Sequence, residues 1–413
     1  MTMTAVQAPA SAPGHDCILC GRCLEVCPLF AATGREELSP RAKFHILARL
    51  AANDPALRGK AASDLAGLCL SCGRCQKACP LGLCAPDMVG GLRAAHPGWA
   101  HFLWKVWITR AGLVWPVAMS LNRLAGQPPP PPAGPFSRTR AALAALDPDQ
   151  AARPWLVPVR FDASHAGRRV VIFPGCVASH ARTDWIRAAR FLLRGLGVTL
   201  LDDPGFACCG GPLGHAGLPA ARDVARRANI HIWRDAGRPT LAVFCASCHH
   251  ALTAYDPALF APVEAEAWRE SIIPLAALLG RTDFEKTAEA PQNVLYHTPC
   301  HAPPDDPDFS LLSRVLGQSF GQGPNPCCGF GGLMQLTAPS LAARTAAHCW
   351  KVHNPPPQAC VLTSCGGCAV HLAATRPATV AAGHWLEMVR CGRPEKDGEE
   401  AAPPPRTPPP PGE

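Results

Sequence analysis

The run Cys-x2-Cys-x2-Cys-x3-Cys-Pro occurs twice, as Cys17, Cys20, Cys23, Cys27, Pro28 and as Cys69, Cys72, Cys75, Cys79, Pro80. Four soft thiolates at this spacing suit a [4Fe-4S] cube, and in two-cluster arrangements the fourth cysteine of each run serves the other cluster. The expected ligand sets are therefore Cys17, Cys20, Cys23 with Cys79, and Cys69, Cys72, Cys75 with Cys27. Structural zinc usually pairs two short knuckles, and a disulfide framework belongs to short secreted chains, so neither fits one compact run of four thiols.

A chain of 413 residues, 48% hydrophobic and 17% charged, is long enough for two or three folded domains. Its 22 cysteines stand without an export signal: Met1 to Asp16 has no Lys, no Arg and no apolar run. That combination points to a reducing cytoplasm. The net charge of +8 is dispersed as single arginines with no basic block carrying aromatics, which argues against nucleic acid as a partner.

Pro128–Pro132, with Gly134 and Pro135, reads as a linker, and the N-terminal residues and the tail from Arg393 read as disordered on composition. Between Cys27 and Cys69 lie 41 residues, in which Ser39-Pro40 followed by Phe44, Leu47, Ala48 and Leu50 predicts a helix. The second half repeats. Val170 to Cys176 is an apolar run, followed by a helical pattern over Trp185, Ala188, Ala189, Leu192, Leu193 and Leu196, then Cys208-Cys209-Gly210 and Leu241 to Phe244 leading into Cys245-x2-Cys248. The same order returns as Val294 to Cys300, a helix around Leu311 to Leu316, Cys327-Cys328-Gly329, a helix near Leu341 to Val352, and Val361-Leu362 leading into Cys365-x2-Cys368. Between the double cysteine and the Cys-x2-Cys pair lie 35 residues in the first copy and 36 in the second. Strands alternating with helices predict two similar α/β units related by a pseudo-twofold, with cysteines at strand ends.

Each repeat offers five thiols for a further metal site: Cys176, Cys208, Cys209, Cys245 and Cys248, then Cys300, Cys327, Cys328, Cys365 and Cys368. Adjacent cysteines are ill suited to chelating one ion but can cap neighbouring irons of a larger cluster, with Gly210, Gly211, Gly329, Gly331 and Gly332 allowing close backbone approach. Duplicate spacing argues against simple packing thiols. Packing is the expectation for Cys84, Cys349, Cys360 and Cys391. His215, His249, His250, His297 and His301 lie beside cluster cysteines in sequence and could tune a potential, relay protons or serve structure.

A helical two-cluster ferredoxin followed by two cysteine-rich "CCG" domains resembles the iron-sulfur subunits of glycolate oxidase and its relatives. These relatives include the iron-sulfur subunits of D-lactate and anaerobic glycerol-3-phosphate dehydrogenases and of heterodisulfide reductase. The resemblance runs from Asp16 to Val389, linker excepted. Closer stretches are Thr33-Gly34-Arg35-Glu36, Ser39-Pro40-Arg41, Cys208-Cys209-Gly210 leading to His215-Ala216-Gly217, and Tyr296-His297 with Cys300-His301. Both sets of five cysteines are complete, as in the heterodisulfide reductase type, whereas glycolate-type subunits tend to lack part of the set. Cys84 stands where an aromatic or polar residue is expected.

The resemblance implies a multidomain α+β and α/β fold: an N-terminal α-helical ferredoxin domain with two [4Fe-4S] clusters, then two tandem CCG domains. The expected boundaries are a disordered terminus over 1–15, the ferredoxin domain over 16–98, an apolar helical segment over 99–127 and a Pro-rich linker over 128–160. The CCG domains follow over 161–285 and 286–392, and a disordered tail over 393–413. One or two additional noncubane clusters are implied for the CCG domains. Gly195-Leu196-Gly197 and Gly329-Phe330-Gly331-Gly332 are not dinucleotide fingerprints, so FAD is expected on a partner dehydrogenase subunit only. The implied role is electron transfer from that FAD subunit, oxidising glycolate or D-lactate, to a quinone or membrane-associated acceptor. The alternative is a heterodisulfide reductase-like subunit reducing a disulfide at a CCG-domain cluster. Trp99 to Leu121, with Trp104, Trp107 and Trp115, is too short and too interrupted by Lys105 and Arg110 to span a membrane. It predicts either a buried helix pair or a contact with a partner or the inner membrane surface.

Overall fold

The computed structural model describes residues 17–51, 64, 67–126, 134–150, 153–391 and 406–407. The expectations for residues 1–15, for Pro128–Pro132 and for most of the tail lie outside the described residues. The chain divides into two compact units. Unit 1 comprises Met1–Arg110, Gly210–Asp223 and Pro326–Val352; unit 2 comprises Ala111–Cys209, Val224–Asn325 and His353–Glu413.

Unit 1 is helical. Its N-terminal part contains α1 (Pro28–Thr33), α2 (Pro40–Ala51), α3 (Ala85–Ala95) and α4 (Trp99–Thr109). α2 is the helix expected in the insert, and Ser39 caps it by accepting from Ala42 N–H at 3.2 Å. The apolar interior is small: Leu29, Leu38, Leu70 and Met334 pack with Cys27 and Cys327, and Phe44 packs with Cys75 and Ala85. Arg93 on α3 holds the unit together from inside. It is 5% exposed and donates to the carbonyls of Gly67 (2.6 Å), Cys69 (2.8 Å) and His215 (2.5 Å). Trp104 is buried on α4 and donates to the Pro212 carbonyl at 3.1 Å, whereas Trp99 and Phe102 are exposed.

Unit 2 begins with α5 (Ala111–Leu124) and α6 (Pro135–Leu146), followed by two parallel sheets. The first sheet contains β1 (Arg169–Phe173), β2 (Thr199–Leu200), β3 (Thr240–Val243) and β4 (Ile272–Pro274), in the order β2-β1-β3-β4. The second contains β5 (Val294–Tyr296), β6 (Phe320–Gln322), β7 (Cys360–Thr363) and β8 (Ala381–His384), in the order β6-β5-β7-β8. The order is the same in both, so the repeat in the cysteines is a repeat of topology. All strand pairs in these two sheets are parallel, and the fully buried Thr240–Val243 and Cys360–Thr363 read as continuous apolar runs for that reason.

The sheets share one core. Helix α7 (Thr183–Gly195) buries Trp185, Ala188, Ala189, Leu192 and Leu193, the stripe spaced at 3.6 residues in the sequence. That stripe packs with Val170 and Ile172 of β1, Val294 and Tyr296 of β5 and Leu362 of β7. Each fully buried aliphatic contributes about 1.5–3 kcal/mol. Buried polar groups cross between the repeats: Arg182 pairs with Glu387 at 3.1 Å, and Trp185 Nε1 donates to Glu387 at 3.2 Å. Helix α8 (Ala246–Thr253) follows β3, α9 (Pro307–Leu316) follows β5, and α10 (Gly366–Thr375) follows β7.

Candidate metal centres

In unit 1 the two motifs fold alike. Gly21 (φ 82°) and Gly73 (φ 71°) occupy the left-handed region just before short helical turns, Arg22–Glu25 and Arg74–Ala78, that carry the third cysteine. Leu19 (φ 57°) and Ser71 (φ 54°) occupy the same region one residue before the second cysteine. A non-glycine residue there is costly, and its recurrence at both motifs marks backbone bent around the sulfurs. The two turns pack against each other. Cys27, Cys69, Cys72 and Cys75 line one cavity with Leu29, Leu38 and Lys43. Cys17 and Cys23 are half-buried and Cys20 exposed; Cys79 is half-buried at the end of the second turn.

Burial pushes the Cys75 thiol up to about 11 and raises Cys72 and Cys27. Such thiols keep their protons at neutral pH unless a metal replaces them, which is the linkage expected of buried metal ligands. Lys43 is 2% exposed, its ammonium donating to the Leu38 carbonyl near Cys27, Cys69 and Cys75. Cys84 is half-buried and its thiol is pushed up to about 12 by burial. Cys349 and Cys360 are fully buried, and Cys391 is half-buried.

In unit 2 the first five thiols come together. Cys176 lies on a short helix after β1 (Gly175–His180), Cys208 and Cys209 on the loop after β2, and Cys245 and Cys248 at the start of α8. Cys208 is hydrogen-bonded to Cys176 and Cys209, and Cys248 to Cys209 and Cys245. Gly175 (φ 69°) admits Cys248: a Cβ there would lie 2.8 Å from its sulfur. Asn229 and Tyr255 fix the double-cysteine loop from behind. Asn229 is 0% exposed; it accepts from Ala207 N–H (2.8 Å) and donates to the Cys208 carbonyl (3.1 Å) and the Tyr255 hydroxyl (3.0 Å). Tyr255 donates onward to the Cys209 carbonyl at 3.1 Å.

The second five are divided between the units. Cys300, Cys365 and Cys368 belong to unit 2, and Cys327 and Cys328 to unit 1. Within unit 1, Cys327 lies near enough to Cys72 for each thiolate to oppose ionisation of the other. Within unit 2, Cys365 is hydrogen-bonded to Cys368 and to Cys245 of the other repeat. Gly366 N–H reaches Cys245 Sγ at 3.4 Å, and Ser247 Oγ lies 3.1 Å from Cys365 Sγ and 3.2 Å from His301 Nδ1. His301 stacks on His250 at 4.6 Å, while His297 Nδ1 meets His353 Nε2 at 2.9 Å. The His215 carbonyl accepts from Arg93. Soft, largely buried and mutually adjacent donors fit polynuclear iron better than a single hard cation.

Two sequence expectations shift. The repeats read as separate thiol sets along the chain, yet Cys245 and Cys365 touch. Close approach by Gly331 and Gly332 is to Leu70 and Trp104, which a Cβ would meet at 2.4 and 3.1 Å. Lys43, Arg93, Asn229, Ser247 and Tyr255 surround the cysteine-bearing segments, and no sequence motif singles them out. Tyr255 carries a signal all the same, since the chain has 2 tyrosines and the other, Tyr296, stands within a motif stretch.

The 4Fe-4S dicluster domain family matches residues 14–83, and the cysteine-rich domain family matches 170–253 and 294–373. The glycolate oxidase iron-sulfur subunit of Escherichia coli (strain K12) is 25% identical over 411 residues, covering 90% of this chain and 92% of that protein. The probable glycolate oxidase iron-sulfur subunit of Bacillus subtilis (strain 168) is 24% identical over 365 residues, covering 80% and 81%. A subunit of the dihydromethanophenazine:CoB--CoM heterodisulfide reductase of Methanosarcina acetivorans is 26% identical over 374 residues, covering 80% and 81%.

Proposed function

We propose, from its similarity to glycolate oxidase iron-sulfur subunits and to a heterodisulfide reductase subunit, that the chain is the electron-transfer subunit of a flavin-dependent 2-hydroxyacid dehydrogenase. Glycolate or D-lactate is the substrate of the complex, FAD resides on the partner subunit, and a quinone or other acceptor takes the electrons. The ligand sets are Cys17, Cys20, Cys23, Cys79 and Cys69, Cys72, Cys75, Cys27, with the ten CCG cysteines holding one or two further clusters. Iron-sulfur clusters supply one-electron transfer, which a two-electron flavin needs to discharge stepwise.

The observation that carries this reading is that Cys327 packs with Cys27 and Leu70 in one buried cluster, within electrostatic reach of Cys72. It sets a CCG cysteine against a motif cysteine, as a relay requires and as separate structural metals do not. The chain's own residues supply the surroundings. Lys43 brings positive charge to the second motif, and Arg93 anchors its first cysteine through the Cys69 carbonyl. Backbone N–H groups of Ser71 and Gly366 point to Cys69 and Cys245 sulfurs at 3.4 Å each, favouring added negative charge there.

The test is anaerobic purification with and without the flavoprotein that accompanies it. The chain alone oxidises neither acid, and dye reduction appears only with the FAD subunit. Turnover of either acid by the chain alone would overturn the reading. The complete CCG cysteine sets and the Cys245–Cys365 contact favour a second reading, a subunit reducing a disulfide at a CCG-domain cluster. It predicts disulfide reduction by the isolated chain with an artificial donor, lost in Cys365→Ser.

A further inference from the structure

Helix α5 has two apolar faces. One buries Ala111 and Trp115 inside unit 2, where Trp115 packs edge-on against His180 at 6.2 Å. The other presents Leu113, Val117, Leu121 and Leu124, 70, 60, 63 and 87% exposed, spaced so that they form one stripe along the helix. Helix α6 adds Phe136, 77% exposed, with the Arg140 guanidinium 6.0 Å over its ring. Arg140 also donates to the carbonyls of Ala125 and Gly126, tying α6 to the end of α5.

Helices α5 and α6 carry basic residues and no acidic one. From Met88 to Leu146 the sequence contains no Asp or Glu, while Arg123, Arg138 and Arg140 lie on α5 and α6. The nearest carboxylates along the chain, Asp147 and Asp149, are paired with Arg123. Protein interfaces carry direct hydrogen bonds throughout, whereas the four residues of this stripe are aliphatic and offer no hydrogen-bonding side chain. Fourteen residues make a helix about 21 Å long, short of the roughly 30 Å hydrocarbon core. Among the described residues, no helix is long and apolar enough to cross a membrane.

We propose that α5, with Phe136 of α6, docks in the plane of an anionic lipid bilayer through Leu113, Val117, Leu121 and Leu124. The aliphatic stripe enters the headgroup boundary and Arg138 and Arg140 meet lipid phosphates. The tryptophans prominent in the sequence divide differently, since Trp104 and Trp115 are interior. This surface stands apart from the proposed substrate of the complex and does not depend on it.

The test is co-sedimentation of the full-length, anaerobically purified chain with vesicles. Binding is expected to mixed phosphatidylglycerol and phosphatidylcholine vesicles, to be weak with phosphatidylcholine alone, and to fall on raising salt. The double variant Val117→Ser, Leu121→Ser should lose about tenfold in bound fraction with its visible absorbance intact, because both side chains are exposed. Arg138→Gln should weaken binding to anionic vesicles more than to neutral ones. Equal binding by the double variant, or no binding by the unmodified chain, overturns the proposal. So does a self-associated species in size-exclusion chromatography that the double variant dissolves, which would assign the face to a second copy of the chain.

Discussion

Lys43 is a buried amine whose pKa burial lowers, while the nearby thiolates of Cys69, Cys27 and Cys75 oppose that fall and favour its charge. The first motif has Arg41 near Cys17 and Cys23 instead, and that side chain is solvated. A buried positive charge favours the more negative, reduced state of whatever those thiolates hold, and water screens an exposed one. Lys43→Met should therefore lower the midpoint potential of one dicluster centre by on the order of 50 mV, about 1 kcal/mol for one electron. The other centre should stay in place in an EPR-monitored redox titration; two unmoved potentials would refute the assignment. A second buried charge acts on stability. Burial pushes the Asp308 carboxyl up to about 8, the neighbouring Asp306 adding to the rise, while Trp385 Nε1 donates to it at 2.7 Å. An unfolded carboxyl titrates near about 3.9, so the folded chain keeps a proton that the unfolded chain has lost. This contribution is fully present below about pH 4 and is lost as pH rises through about 8. Asp308→Asn keeps the acceptor for Trp385 and removes the titration. It should raise the urea midpoint at pH 8 by the equivalent of at least about 1 kcal/mol and leave pH 4 nearly unchanged; equal shifts at both pH values would contradict it.

At the scale of elements, the double-cysteine loop depends on a helix that contributes no thiol. Asn229, on Pro219–Asp235, satisfies Ala207 N–H, the Cys208 carbonyl and the Tyr255 hydroxyl together. Asn229→Leu strands these groups in the interior and should cost about 2–4 kcal/mol. Iron bound per chain should fall as the loop loses its position, read beside the urea midpoint; no change in either would sink the clamp. How much of this is legible in the sequence follows from periodicity. The stripe of α7, the helix α2 with its Ser39 cap, and the buried runs of β1, β3, β5 and β7 are local patterns, and the structure contains them. The edge strands β2, β4, β6 and β8 are as short as the central ones but do not run directly into a cysteine as β1, β3, β5 and β7 do, and they exist because a neighbouring strand is there to pair with. Asn229 likewise has no local signature. Its partners lie 21 to 26 residues away, and the Ser247 contact with Cys365 spans 118. The cysteines are legible because ligand spacing is fixed by cluster geometry, whereas the residues that hold them are fixed only by tertiary packing.

Across the whole molecule, the two units draw on different sources of stability. The apolar clusters described for unit 1 are small and include the thiols themselves, Cys27 and Cys327 in one and Cys75 in the other. Unit 2 buries Trp185, Leu192, Leu193 and Trp385 in one core, and Trp233, Tyr255 and Trp268 in another. A domain with a small core needs a metal or another staple, and ligand thiols brought together without metal are stabilised by little besides those few contacts. Removing iron by anaerobic chelation with a mild oxidant should therefore unfold unit 1 first. Hydrogen exchange would read this directly. Amides of α2 and α3 should lose protection by orders of magnitude, while those of β1, β3, β5 and β7 exchange nearly as slowly as before. Near-ultraviolet circular dichroism should keep much of its tryptophan signal, since Trp185, Trp233, Trp268 and Trp385 all belong to unit 2. If α2 and α3 kept their protection after the iron was gone, the helices would be holding the cysteines in place, and the dependence would run the other way.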